Sequence, residues 1–455
     1  MMLQVGFYKV NITPYIGCPL GGFASRKDVS QGFHDELYAR IVVIAGQELV
    51  VLVSTDLLCL PAESVNQIRK LAAEKIGARE ECIAIAATHT HSGPELRPDV
   101  KEQPTPAYVR NLIDDIAGGI YAAWRVRQPA RIGVGSGRIH GIGVNRRHPD
   151  GLPIDPEVGV FRFEFEKKGL GGVLINYTCH PVVLGPDNLL VSADYPGYTT
   201  RLIEQVKGPG VVALFTNGAT GDINTGHSAD LSALGYPIPG RTFERAEKLG
   251  VMLAGEVLKT LETIECAPEL PVAAKRKIVA LALKDLPPLE QVQRDLQEKQ
   301  AALEQILTEG AAEEVVIKAR VNQLYAELLL DAVTHQAKNP TPKSLNVELQ
   351  AIRIGQSVLL TFPGELFVEI GLQIKKQSPF EQTYILGYTN GYIGYLPTVH
   401  AFREGGYEAV SSRFTPASVR IIEQEALDLL RLMIDDETCM ANSGPLAPIY
   451  SAQIL

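Results

Sequence analysis

The densest run of reactive side chains is Thr88-His89-Thr90-His91-Ser92-Gly93-Pro94. It follows residues 82–87, a short apolar segment of strand character, so both imidazoles stand at a strand's C-terminal end. Ligand sites in open parallel sheets concentrate at that edge. In an extended chain, residues two apart point to the same side, so His89 and His91 would share a face. Two imidazoles beside a tight Ser-Gly-Pro turn suit a metal ion or a proton-transfer pair; the plainer alternative is two hydrogen-bonded surface histidines. His180 has the same setting, following the apolar stretch 172–177 within Cys179-His180-Pro181. Cys179 has no activating neighbour in the sequence and reads as a buried thiol.

Three further segments end strands with polar groups. Asn217-Gly218-Ala219-Thr220-Gly221-Asp222 lets backbone N–H groups approach a ligand but lacks the Lys-Ser/Thr of a phosphate loop. Pro363-Gly364-Glu365 opens a helix, where an acidic residue is often only a dipole partner. Tyr388 to Tyr395, followed by Tyr407-Glu408, sets phenols among glycine turns and reads as an aromatic loop packed on the body.

The elements that must position these groups alternate. Residues 38–45 and 49–54 are strands; Pro61 opens a helix with Val65, Ile68, Leu71 and Ala72 at helical spacing, ending at Gly77. With the strand at 82–87 this makes a βαβ unit. A helix at 107–125, strands at 130–137, 158–165, 172–177 and 211–216, helices at 194–206 and 242–264, and an extended stretch at 271–283 come next. Residues 285–334 are rich in Glu, Gln, Lys, Leu and Ala and read as a helical hairpin whose outer face is solvated. Beyond a linker at 340–342 come strands at 345–354 and 358–361, a helix from Glu365, and a final helix at 417–432. The fold expected is α/β, a largely parallel or mixed sheet sandwiched by helices, with a helical-hairpin insertion at about 285–338.

Composition excludes other classes. Of 455 residues, 45% are apolar and 21% charged, too apolar for a disordered chain. Acidic residues number 52 against 43 basic, a net charge of −9, which argues against nucleic acid as the main partner. Six cysteines without a CxxC pair indicate reduced thiols rather than a disulfide framework. No apolar run reaches the ~18 residues of a transmembrane helix. Met1 to Val10 lacks a charged n-region and a long apolar stretch, so the expected location is cytoplasmic, or secreted had a signal been trimmed.

Taken in order, Val5-Gly6-Phe7-Tyr8-Lys9-Val10-Asn11-Ile12-Thr13-Pro14, His34-Asp35, the Thr-His-Thr-His-Ser-Gly-Pro run, Asn145-Arg146, Cys179-His180-Pro181, Ser192-Ala193-Asp194-Tyr195, Gly221-Asp222, Pro363-Gly364-Glu365, Asn390-Gly391-Tyr392 and Tyr407-Glu408 resemble the neutral/alkaline (non-lysosomal) ceramidase family. The resemblance runs from about residue 4 to about residue 432. It implies one catalytic domain over 1–440, followed by a tail at 441–455, without the C-terminal β-sandwich of characterised family enzymes. It also implies a single zinc ion that serves to cleave the amide of an N-acylated sphingoid base. By this resemblance His89, His180, Glu365 and Tyr395 would hold the zinc. His91 and Tyr407 would lie beside it, Arg146 would add a cation, and Asn224 stands where the family carries a serine. Asparagine cannot act as a hydroxyl nucleophile, though it can hydrogen-bond a substrate.

The function expected is therefore zinc-dependent hydrolysis of a carbon–nitrogen bond in a small-molecule or lipid-like N-acyl substrate. The alternatives are a zinc esterase or deacetylase acting on a small soluble substrate, and a zinc-retaining binding protein without turnover.

Overall fold

The strand Tyr38–Ala45 is apolar on both sides, as a strand buried on two faces must be. The computed structural model, which describes residues 2–148, 150–338 and 342–442, shows what covers each face. Eight strands form the first sheet: β1 (Gln4–Asn11), β2 (Tyr38–Ala45), β3 (Leu49–Thr55), β4 (Ile83–Ala87), β5 (Gln128–Arg138), β6 (Glu157–Phe165), β7 (Gly169–Tyr177) and β8 (Val212–Asn217). Their order is β8-β7-β6-β5-β1-β2-β3-β4. The interior pairs are antiparallel and the pair at each edge is parallel. Four more strands, β9 (Val272–Ala282), β10 (Ser344–Ile354), β11 (Ser357–Thr361) and β12 (Gln382–Leu386), form a second sheet in that order. In this sheet a single pair, β11 with β12, is parallel.

The two sheets are stacked. Val42, Leu52, Phe161, Phe163 and Leu174 of the first meet Ala274, Ile352, Leu359 and Tyr384 of the second in one buried cluster. The alternate residues of the same strands point outward, as the strand period of two requires. Ile41, Val43, Val51 and Val53 pack under α1 (Ala62–Ile76) and α2 (Pro106–Arg125). Val158, Val160, Val173 and Ile175 pack under α3 (Asp194–Lys207) and α4 (Phe243–Leu261). Two further helices, α5 (Leu289–Thr308) and α6 (Glu313–Lys338), form the expected hairpin. The outer face of the second sheet is covered by α7 (Val368–Gln377) and α8 (Ala417–Asn442). The result is helix, sheet, sheet, helix in four layers.

Of the two sheet types expected, the mixed one is found. The strand positions hold closely, but the division of the strands between two sheets carries no sequence signal, because a strand buried on both faces does not report its layer. The α5–α6 hairpin interrupts the β9–β10 hairpin, whose register runs unbroken from Val272↔Ile354 to Ala282↔Ser344. The final helix runs ten residues past the expected 432. The linker at 340–342 and the tail at 441–455 fall largely outside the described residues.

Three βαβ crossovers are built into these layers: β3-α1-β4, β7-α3-β8 and β11-α7-β12. Arg69 of α1 ties the first to the second sheet. Its side chain is 1% exposed, and its two terminal nitrogens lie 3.0 and 2.8 Å from the Glu348 carboxylate while Nε donates to Ile83 O at 2.8 Å. Breaking a buried pair of this kind strands the remaining charge. Arg69→Ala is expected to lower unfolding stability by about 3–5 kcal/mol in urea titration; a loss below about 1 kcal/mol would show that this clamp does not hold the layers together.

Candidate active site

The three crossovers deliver their strands' C-terminal ends to one place. After β4 the chain does not stay extended: His89 takes a left-handed φ of 67°, and His89 N–H bonds Leu57 O at 2.8 Å. The two histidines therefore meet through a kink rather than along a strand, with His89 Nε2 and His91 Nε2 3.2 Å apart. Gly22 makes room for the second ring: its φ is +101°, and a Cβ there would lie 2.4 Å from His91 Cγ.

His89 Nδ1 lies 2.6 Å from Leu58 O, and His180 Nδ1 lies 3.0 Å from Ile223 O. A carbonyl can only accept, so each imidazole carries a proton on Nδ1 and turns its Nε2 inward. His180 Nε2 is 2.8 Å from Glu365 Oε2, and His89 Nε2 is 3.9 Å from the same oxygen. All three side chains are about 2% exposed or less. Burial holds His89 down at about 3, against the pull of Glu365. Burial would raise Glu365, but the facing His180 and His89 bring it to about 2. Two inward-turned Nε2 atoms and an ionised carboxylate thus converge on one point, an arrangement a cation would satisfy. The nitrogens of His89, His91 and His180 also all lie within 4.8 Å of one another, so the cluster can hold a metal ion.

Glu365 does not open a helix, as its sequence setting suggests. It lies three residues before α7 in a two-residue parallel ribbon, opposite Tyr395. That pairing brings Tyr395 to the site, and its Oη accepts from Arg146 Nη2 at 3.3 Å. Burial beside Glu365 keeps the Tyr395 phenol protonated well above its usual range. Arg146 donates from Nε to Glu408 at 2.8 Å and from Nη2 to Gly221 O at 2.8 Å; Arg147 takes the other Glu408 oxygen at 2.7 Å. Tyr407, the residue before Glu408, sits edge-on to Tyr395 at 6.1 Å. His91, Arg146, Asn224, Tyr395 and Tyr407 line one cleft of about 420 Å³ including its open mouth.

Every residue singled out in the sequence is thus gathered here, though not every one with a free side chain. Asn224 lines the cleft, but its Oδ1 accepts from Gly226 and His227 N–H and its Nδ2 donates to His227 O at 2.7 Å. It holds its own turn, leaving one amide proton for any ligand. Cys179 is buried, and burial pushes its thiol up, as an inert thiol requires. Asp222 of the Gly-Asp pair is structural: its carboxylate caps the start of α7 through Val368 N–H at 2.8 Å and accepts from Asn145 at 2.7 Å.

The aromatic loop, by contrast, is more than packing. Tyr388 stacks on His89 at 3.8 Å, and its Oη reaches Thr220 Oγ1 at 2.5 Å and His180 Nε2 at 3.2 Å. Tyr392 Oη donates to Glu365 Oε1 at 2.5 Å. The available sequence signal is local: Tyr388 and Asn390 have left-handed φ values of 53° and 67°, which an Asn-Gly-flanked turn favours.

The sequence profile of neutral/alkaline non-lysosomal ceramidase, N-terminal, matches residues 3–230. The chain belongs to that family. It is 26% identical to the neutral ceramidase of Pseudomonas aeruginosa, over 90% of this chain and 68% of that protein. To the neutral ceramidase of Mycobacterium tuberculosis it is 23% identical, over 95% of this chain and 77% of that one. The fold agrees with the crystal structure of the Pseudomonas aeruginosa enzyme at a TM-score of 0.73, with 21% identity over 96% of this chain and 75% of the other. In this family member the matched profile carries His89, His91 and His180, whereas Glu365, Tyr395 and Tyr407 arrive from the second half of the chain.

Glu408 is the electrostatic support of that second half. Burial works against its charge, but Arg146 and Arg147 hold it below the ordinary carboxylate range. A depressed folded pKa contributes stability that is present above the unfolded value of about 4.3 and is lost as pH falls through the folded value. Glu408→Gln is expected to cost about 3 kcal/mol at pH 7 by urea unfolding, and to flatten the acid limb of the stability–pH curve. An unchanged acid limb would show that Glu408 does not carry this charge.

Proposed function

We propose that this chain hydrolyses the amide bond of an N-acyl substrate of the ceramide class, using zinc held by His89, His180, Glu365 and Tyr395. The single observation that carries the reading is the meeting of two Nε2 atoms and a buried carboxylate around one point, in a chain whose family includes neutral ceramidases. Two nitrogens and a carboxylate suit a catalytic zinc, which takes N and O ligands and keeps a position open. Zinc, when bound, supplies a Lewis acid for the scissile carbonyl and a water acidified to near neutral pH.

The chain's own residues do the rest. Leu58 O and Ile223 O fix the imidazole tautomers, and Tyr392 and Tyr388 orient Glu365 and His180 from outside the ligand set. His91, which burial beside His89 and His180 keeps neutral, would take the proton given up by the attacking water and hand it to the leaving amine, since it lies against His89 and lines the cleft. Tyr407 and Arg146 line the same cleft and stabilise negative charge developing on the carbonyl oxygen. No step needs a hydroxyl nucleophile, so asparagine at 224 is compatible with this route.

The test is metal analysis together with hydrolysis of an N-acyl sphingosine. Purified protein is expected to carry roughly one zinc per chain, with turnover abolished by chelation and restored by zinc. His89→Ala loses metal and turnover together. Tyr388→Phe, which removes only the hydroxyl, weakens metal affinity or turnover by about 10–100-fold. Unaltered zinc content in His89→Ala would sink the ligand assignment. Stoichiometric zinc without release of any fatty acid would sink the hydrolase reading.

A further inference from the structure

The part of the cleft wall beside Phe23 is built differently from the metal side. It contains Arg241, together with Phe23, Val182 and Ser232. Phe23 stands edge-on to the His91 ring at 4.8 Å, and the Arg241 guanidinium lies 5.4 Å from the same Phe23 ring. One aromatic ring therefore separates this cation from the proposed proton donor. Arg241 is held through one end only: Nη2 donates to Ser232 Oγ at 2.5 Å. Its Nε and Nη1 are buried and have no hydrogen-bond partner. Asp187 and Asp194 are its nearest acidic neighbours, but neither forms an ion pair with it; the Asp194 carboxylate accepts instead from the backbone of Leu184 and Tyr195. Arg26, on the same side, offers a contrast, since its guanidinium is committed to the carbonyls of Gly21, His91, Gly185 and Pro186. A guanidinium cannot shed its charge, and its planar fork matches carboxylate and phosphate oxygens. Guanidinium donors without a partner, on a side chain that lines the cleft, are a place for an anionic oxygen.

We infer that the preferred N-acyl substrate carries an anionic group, a carboxylate or a phosphate, that pairs with Arg241 across Phe23 from the scissile amide. This rests on the amide-hydrolase reading above and narrows its substrate class. Arg241 is a specificity-determining residue in this scheme and takes no part in bond cleavage.

Two matched pairs of substrates test it: an N-acyl amino acid against its neutral carboxamide, and ceramide 1-phosphate against ceramide. The wild-type enzyme is expected to favour the charged member of at least one pair by about tenfold or more in kcat/KM; which pair responds tells carboxylate from phosphate. Arg241→Gln is expected to erase most of that ratio, chiefly through KM, and Arg241→Lys to retain part of it. No preference in the wild type, or a ratio unchanged in Arg241→Gln, overturns the inference. If no member of either pair is turned over, the hydrolase reading fails on its own. The anion site is then decided by binding: acetate or inorganic phosphate should raise the unfolding temperature of the wild type but not of Arg241→Gln, and equal shifts in both overturn it.

Discussion

Two backbone carbonyls govern the chemistry of this molecule. Leu58 O and Ile223 O each accept the Nδ1 proton of a buried histidine, which turns both Nε2 atoms toward the Glu365 carboxylate. Two imidazoles and a carboxylate crowded together away from water are unfavourable unless a shared cation or proton holds them. The surroundings therefore have to hold them in place. Tyr388 stacks on one imidazole and touches the other, Tyr392 satisfies the outer carboxylate oxygen, and His89 is locked in a left-handed backbone conformation that only the surrounding contacts maintain.

The four-layer fold supplies that rigidity. His89, His180 and Glu365 each follow a parallel strand of a βαβ crossover, and stacking the two sheets brings three such strand ends together. His180 and Glu365 are 185 residues apart in sequence and 2.8 Å apart in space, so neither sheet alone contains the site. The ion pair of Arg69 with Glu348 and the bonds of Asn390 to Glu348 and Gln350 act where the sheets join, close to the loop that carries Tyr388. Stability and function share these contacts, which makes the junction between layers the part of the fold with least tolerance for substitution.

The sequence makes some of this legible and hides the rest for identifiable reasons. Strand ends followed by His, Gly-Asp or Pro-Gly-Glu can be read directly, because the strands are short apolar runs bounded by Gly and Pro. The order of these motifs carries the family resemblance, and that resemblance implies His89, His180, Glu365, Tyr395, Arg146 and Tyr407. Tyr388 and Tyr392 stay hidden because a phenol near a glycine turn looks the same whether it packs on the surface or stacks on a histidine. Pro-Gly-Glu is a common helix opening, yet here Glu365 and Leu366 pair with Tyr395 and Leu396 before α7 begins at Val368. The two-sheet division is hidden for a similar reason: Tyr38–Ala45 shows that both faces are covered but not by what. In each case the missing information lies in a long-range contact, which local pattern does not encode.

The helical hairpin α5–α6 obeys the same logic. Its composition reads as a solvated surface pair, and most of α5 is indeed exposed. Yet Tyr325 of α6 donates to Asp230 at 2.6 Å, and the Arg320 guanidinium lies 5.9 Å over the Tyr236 ring. Asp230 and Tyr236 belong to the segment between Asn224 and Arg241, whose Ala229, Ser232 and Ala233 form part of the cleft wall. Asn224 closes the start of that segment with its own turn, and Arg241 ends it beside Ser232. The insertion therefore packs on both the 229–234 part of the cleft wall and the helical turn Tyr407–Ser411. The sheets position His89, His180 and Glu365, while the inserted hairpin supports the cleft around them from the 229–234 segment and from the turn that carries Tyr407. A change in the hairpin should then alter the shape of the cleft while leaving the His89–His180–Glu365 geometry intact, because no residue of α5 or α6 contacts those three side chains among the described bonds.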